Sequence, residues 1–467
     1  MRLPLTETRG LEALPTTSTP DDGLSEIIEG LNKVPKTASG VNLETGEKRS
    51  RASIKIATLN LNGKGTLIGD TEDNKWLHVN QLMREQKIGV LAIQEAHLTT
   101  DFVEQISDLF QRRLHIIWSQ GENKNAAGVA FVVNKELANI EKIKLTEIIP
   151  GRAAMITLPW NHNRTLRILN IYAPNDQGDS GIFWTEIINE MDKKKIDSPD
   201  IMMGDFNTVE DSIDRLPNKS DPAGTTEALR TLRGKLNLID GWRTTNPTEK
   251  SYTHFSKTHN TYSRLDRIYA TNAIHNTASD WDIAKPAIKT DHKMATVRIT
   301  NPSMPFIGKG RWSMPIHLLK NKKFLTMRDM STINERTEEN NVQHTFERFK
   351  HELATNARNL AKAITPKINK DIERLEEEVK TALNEEDKTE RDTITEAGIL
   401  ERQLDELKRS KHAASRMTVK VKDKIFGETI TSEWTSGNKE RTPRDVITAG
   451  VCLEYKENGC NSQTAPP

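Results

Sequence analysis

A series of polar side chains sits where apolar runs of this sequence stop. They are Asn60 and Asn62 in ATLNLNG, Glu95 in VLAIQEAHL, Tyr172 in LNIYAPND, Asp205 and Asn207 in MMGDFN, Asp266 in SRLDRIY, and Asp291 with His292 in KTDHKMA. Singly, each has an ordinary reading, because strand ends are polar for solvation alone. Glu95 reads as a surface acid, Asp266 as an ion-pair partner of Arg264 or Arg267, and His292 as a loop histidine. Together they fit metal-assisted hydrolysis of a phosphodiester. Such an ester is anionic and slow to hydrolyse, so a catalyst must neutralise charge growing on the phosphate, align a water and stabilise the leaving oxygen. Hard oxygen ligands such as Glu95 and Asp291 suit magnesium or manganese, whereas zinc favours more histidines. Asp205 can take the proton of the attacking water, with Asn207 fixing its orientation. A carboxylate such as Asp266 beside His292 favours the imidazolium, which can contact a phosphate oxygen at neutral pH.

Those groups must be carried by strands. In MMGDFNT, side chains at i and i+2 share a face, so Asp205 and Asn207 are expected to project together from an exposed strand end while Phe206 turns into the core. Gly204 leaves room for a ligand or a second backbone. Runs rich in β-formers recur as IKIATLN, GVLAIQE, HIIWSQ, GVAFVVN, AAMITLPW, TLRILNIYAP, DIMMGDFN, SYTHF, SRLDRIYAT and MATVRI. Helix-like stretches lie between them: NKWLHVNQLMREQ, TDFVEQISDLFQRR, SGIFWTEIINEMDKK and GTTEALRTLRGKLN. This mixture predicts a layered α/β body with helices outside two packed sheets.

The chain has 467 residues, enough for one large domain with additional material. A formal net charge of +1 gives no polycationic signature, so any nucleic-acid surface is a local patch. Cys452 and Cys460 supply neither a disulfide framework nor a cysteine zinc site, which favours an intracellular protein. No run approaches the ~20 apolar residues of a membrane span, so a soluble protein is expected. Residues 1–50 are polar and rich in Thr, Pro and Gly, a composition expected to be disordered. The catalytic body is expected over residues 51–300 and to fold without the helical tail. That mostly helical tail is expected over 301–435, where Phe346, Phe349, Leu353, Leu360 and Ile364 recur at helical spacing. Thr365 and Pro366 read as a cap and first turn, and Ile368, Ile372, Leu375, Val379 and Leu383 continue the pattern. Its mixed charges read as a solvated amphipathic surface open to helix-mediated association, and 436–467 as an irregular end.

The ordered series TLNLNG, IQEAHL, IYAPN, GDFN, SRLDRIY and TDH resembles the endonuclease/exonuclease/phosphatase superfamily, typified by DNase I, over roughly residues 54–299. That resemblance implies a four-layered α/β sandwich with its site at one edge. Within the superfamily, IQEAHLT, NIYAPND and SYTHFSKTHNTYSRLDRIYAT are similar to the endonuclease of non-LTR, LINE-type retrotransposons. The implied roles place Asn60 and Asn207 on the phosphate and water, Glu95 on the metal, and Tyr172 against the phosphate. Asp205 would be the base, Asp266 the partner of His292, and Asp291 an aid to the metal. Thr253, Ser263 and Arg264 are the expected DNA contacts. Abasic-site repair enzymes commonly carry an Asp where this chain has Asn62 and an aromatic wall where it has Ser263, so a repair endonuclease is the second reading. An inactive element relic that binds nucleic acid is the third. GKGRWSMPIHLLKNKKFL resembles the linker after such endonucleases, and with no Tyr-x-Asp-Asp stretch the chain reads as the front part of an element protein. DNA is the implied partner, magnesium or manganese the cofactor, and the nucleus the implied location.

Overall fold

The computed structural model describes residues 50–426 apart from 52, 70, 122–126, 161–163, 302–305, 308–321, 335–341, 364–366 and 386. The expected disordered lead before residue 50, the cap at Thr365 and Pro366, and the irregular end therefore lie outside the described residues.

Strands rich in Ile, Val, Leu and Ala build two six-stranded sheets. The first contains β1 (Ser53–Asn60), β2 (Ile88–Gln94), β3 (Leu114–Ser119), β4 (Val129–Asn134), β14 (Ala278–Ala284) and β15 (Met294–Thr300), in the order β14-β15-β1-β2-β4-β3. The second holds β5 (Lys144–Ile149), β6 (Ala153–Pro159), β7 (Thr165–Tyr172), β8 (Ile201–Asp205), β10 (Leu238–Asp240) and β13 (Asp266–Thr271), in the order β10-β13-β8-β7-β6-β5. Both sheets are mixed: β1 and β2 run parallel, as do β7 and β8, and the remaining neighbours are antiparallel. A small third sheet joins β9 (Arg215–Leu216), β11 (His254–Ser256) and β12 (Thr261–Ser263), in the order β9-β12-β11.

Strand periodicity divides the core into three layers. Ile54 and Ile56 of β1, Ile168 of β7, Ile201 and Met203 of β8, and Ile268 of β13 meet between the sheets. The alternate residues of the first sheet, Ala57, Leu59, Leu91 and Ile93, pack outward under α1 (Lys75–Glu85) and α2 (Thr100–Phe110), through Trp76, Val79, Leu82, Val103 and Ile106. On the second sheet, Leu169, Ile171 and Met202 face α3 (Gln177–Lys193) and α4 (Ala223–Leu236), through Phe183, Trp184, Ile187, Leu229 and Leu232. The result is the expected four-layered sandwich, helix-sheet-sheet-helix, and because both faces of each sheet are covered the central strands are apolar on both sides.

Beyond the sandwich come helices α5 (Lys322–Asn334), α6 (Val342–Ala363), α7 (Lys367–Asn384) and α8 (Glu390–Phe426). Ile372 and Leu375 of α7 meet Leu404 of α8, with Ile368, Leu400 and Leu407 around them. No helix among the described residues is long and apolar enough to cross a membrane.

Candidate active site

The inward parity of the strands, followed to one end, accounts for the site. Asn60 continues the face of Ile54 and Ile56, Asp205 that of Ile201 and Met203, Tyr172 that of Ile168, and Asp266 that of Ile268. Sheet register then sets Tyr172, Asp205 and Asp266 in one row, since Asp205 pairs with Tyr172 on β7 and with Asp266 on β13. Gly204 permits this register. Its φ is +143°, and a Cβ there would fall 1.9 Å from the Ile171 carbonyl oxygen, so the close approach expected at this glycine is to a second backbone.

The Asn60 amide links the sheets. Its Nδ2 donates to Glu95 Oε1 and to Asp205 Oδ2, each at 2.9 Å, and the Tyr172 hydroxyl donates to the same Glu95 oxygen at 3.0 Å. No protein hydrogen bond among the described residues reaches Glu95 Oε2. Beneath these groups lies a buried polar layer that the sequence did not single out: Gln94 donates to Asn170 Oδ1 at 2.6 Å and to Thr58 Oγ1 at 3.0 Å, and Asn170 donates to the carbonyls of Ile93 and Ala130. The signal was available as polar residues at inward positions of otherwise apolar strands.

Asp205 is buried, not exposed as expected. Burial and the neighbouring Asp266 carboxylate push its pKa up to about 6, against the opposing pull of His292 and the Asn60 amide. The strand also stops at Asp205, so Asn207 is not its same-face strand neighbour. Asn207 has a φ of +43° and returns its own backbone N–H to Asp205 Oδ1 at 3.0 Å, while its amide donates to the Ala173 carbonyl and to Asn175 Oδ1. Phe206 turns into the outer core against Trp184 and Tyr269, as expected.

His292 Nδ1 lies 2.8 Å from Asp266 Oδ2, and its Nε2 lies 4.0 Å from Asp205 Oδ2. Burial opposes charge on the ring, but the Asp266 carboxylate, aided by Asp205 and Asp291, lifts its pKa to about 10. Burial followed by the nearby Glu95 raises the Tyr172 hydroxyl, so it stays protonated and keeps donating. Asp291 is partly exposed. The nearby imidazole of His254, its Nε2 3.7 Å from Oδ2, with help from His292 and the Asn62 amide, holds its carboxyl well below the usual range despite partial burial.

Ligand atoms of His254, Asp291 and His292 lie within 4.8 Å of one another, as do those of Asp205, Asp266 and His292. Both groups include an imidazole held protonated, which has no lone pair to give. The chemistry of the donors therefore favours carboxylate oxygens for a hard cation, and Glu95 with its open Oε2 fits one. Glu95 belongs to neither cluster. His254 was missed by the sequence reading; its ring lies 4.7 Å from that of His292. Lys75 was missed too, and its ammonium fixes the loop after β1 by donating to the carbonyls of Leu61 and Asn62 at 2.7 and 2.6 Å.

The three expected DNA contacts are buried. Thr253 Oγ1 accepts the backbone N–H groups of Leu265 and Asp266 at 2.9 and 3.0 Å, which positions Asp266. Ser263 Oγ accepts from Arg215 Nε. Arg264, only 2 % exposed, commits its guanidinium to Asp214 and Asp240 and lies over Trp242. Asp266 thus pairs with His292, and Arg264 is taken elsewhere.

A 149 kDa protein of the TX1 transposon of Xenopus laevis is 26 % identical over 279 residues, which is 58 % of this chain and 20 % of that protein. The chain therefore spans about a fifth of that relative's length. Among solved structures, a 3′-5′ exonuclease from Neisseria meningitidis matches at 19 % identity and a TM-score of 0.43, covering 53 % of this chain and all of that one. The endonuclease domain of TRAS1, a telomere-specific non-LTR retrotransposon, matches at 13 % identity and 0.39, covering 54 % of this chain and all of that domain. The profile of the Endonuclease/Exonuclease/phosphatase family matches residues 57–292, half of the sequence, and spans every strand end that supplies the site. The chain belongs to that family.

Proposed function

We propose that this protein is a divalent-metal-dependent DNA endonuclease of the retrotransposon type, nicking one strand of an intact duplex in the nucleus. One observation carries the reading: the Asn60 amide joins Glu95 to Asp205 across the two sheets, beside a His292–Asp266 pair. Magnesium or manganese, held by Glu95 with Asp291 nearby, would supply positive charge to the phosphate. Asp205, with its pKa near neutrality, takes the proton of the attacking water, and the Asn207 backbone N–H holds that carboxylate in place. The protonated His292 offers a hydrogen bond to a phosphate oxygen. Ser263, occupied with Arg215, provides no aromatic wall for an abasic sugar, which favours an intact duplex over a repair substrate.

Incubation of the full chain with supercoiled plasmid, with magnesium or manganese and with or without chelator, tests this reading. The expected result is metal-dependent conversion to open circle. No conversion with either metal at any protein concentration would remove the nuclease assignment. Faster cleavage of an abasic duplex than of its intact counterpart would replace it with the repair reading.

A further inference from the structure

Helices α7 and α8 pack on the small third sheet. Val379 and Leu383 of α7 and Ile394, Ala397 and Leu400 of α8 cover Leu216, Tyr252, Phe255 and Tyr262. Polar contacts fix the docking. Asn384 accepts the Lys250 backbone N–H at 2.8 Å and donates back to its carbonyl, and Glu390 accepts the Asn218 N–H.

Glu401 of α8 reaches furthest toward the site. Its Oε2 accepts the Tyr262 hydroxyl at 3.2 Å, and its Oε1 lies 2.6 Å from the Lys293 ammonium. Lys293 directly follows His292, and its backbone N–H donates to the Thr253 carbonyl at 2.6 Å. Thr253 in turn holds the Leu265 and Asp266 amides through Oγ1. The backbone bridge between His254 and His292 closes the same group of segments. A carboxylate from the tail thus grips both segments that place the His292–Asp266 pair, while touching none of the reacting groups.

We propose that Glu401 is a positioning residue, and that the α7–α8 hairpin is a working part of the nuclease rather than an appended linker. Through Lys293 it fixes the segment carrying His292, and through Tyr262 it fixes the strand leading to Asp266. The proposal rests on the nuclease reading for its effect on catalysis, and on geometry alone for its effect on local order. An ion pair that served only packing would change stability without separating kcat from KM.

The test compares the full chain with Glu401→Gln and Tyr262→Phe, using plasmid nicking and amide hydrogen exchange together. Glu401→Gln keeps the shape and an acceptor for Tyr262 but removes the charge that Lys293 faces. Its expected signature is a kcat lowered about tenfold with KM changed by less than about twofold. Loss of protection should be confined to residues 252–254 and 292–294, with β2 unchanged. Tyr262→Phe should lower kcat less, and Arg374→Ala, which removes an exposed pair with Glu378, should alter nothing. Parental kcat together with parental protection in Glu401→Gln would overturn the proposal, as would lost protection that left kcat intact. If the parent itself does not nick, the nuclease reading fails separately; exchange then decides the grip alone, with unchanged protection at 292–294 overturning it.

Discussion

Asp205 and Asp214 are each 1 % exposed, yet their carboxyls are shifted in opposite directions. Burial, reinforced by Asp266, raises Asp205 to about 6. Burial acts on Asp214 in the same sense, but the guanidiniums of Arg264, Arg267 and Arg243 outweigh it and bring Asp214 down to about 2. Arg264 meets Asp214 through two hydrogen bonds of 2.8 and 2.6 Å, and Arg243 adds a third. Among the described residues, Asp205 has only a distant imidazole and two hydrogen bonds to offset its negative neighbour. Desolvation is common to both; the surrounding charge decides which acid can exchange a proton near neutral pH and which is fixed scaffold.

Substitutions at these two positions should separate the roles. Asp214→Ala leaves buried guanidiniums without their main partner and should cost roughly 3–5 kcal/mol by urea unfolding. A loss below about 1 kcal/mol would show that the cluster does not hold the fold. Asp205→Asn should instead lower the nicking rate by at least ~10²-fold, with stability unchanged or raised because a like-charge contact disappears. A folded Asp205→Asn that nicks at the parental rate would take the base role from this residue.

Next in size is coupling between Asp266 and His292. If they form one unit, Asp266→Ala combined with His292→Ala should be about as impaired as the worse single variant. Multiplicative losses in nicking assays would mean that the two act independently. The smallest effect is on pH. The depressed Asp214 contributes stability that is present above its ordinary 3.8 and is lost as pH falls through about 2. The raised Asp205 works in the opposite sense: its contribution is present below 3.8 and is lost as pH rises through about 6. In chelator, urea unfolding of the parent should therefore weaken relative to Asp205→Asn between pH 4 and 6, and relative to Asp214→Asn as pH drops below 4. Parallel curves would erase the contrast.

The central strands were legible because both of their faces are apolar and their ends change abruptly to acids and amides. Strand β5 was not, since Lys144, Leu145 and Glu147 are exposed on a sheet edge and break the apolar run. Edge strand β14 escaped for a similar reason, with Asp280 at a positive φ interrupting its pairing to β15. At the site, the acids, amides and histidine were readable as types because they fall where apolar runs stop. The depth of Asp205, Thr253 and Arg264 was not. Burial of a polar residue is set by partners such as Asp214 and Asp240, which lie 50 and 24 positions from Arg264 and leave no local pattern. His254 went unnoticed for the same reason, because its neighbours Asp291 and His292 join it only across the fold.

Strand order also sets when, during synthesis, the candidate site can first come together. Asn60 emerges from the ribosome early, but its Asp205 partner is 145 positions later, and the Thr290 hydroxyl that holds its carbonyl comes 230 positions later. β1 lies between β2 and β15, so its second edge stays open until Met294–Thr300 has been made. A nascent chain that stops just short of that strand already carries Asn60, Glu95, Asp205, Asp266 and His292, yet lacks the partner for one edge of β1. Completion of the candidate site is thereby a late event in synthesis, set by topology alone.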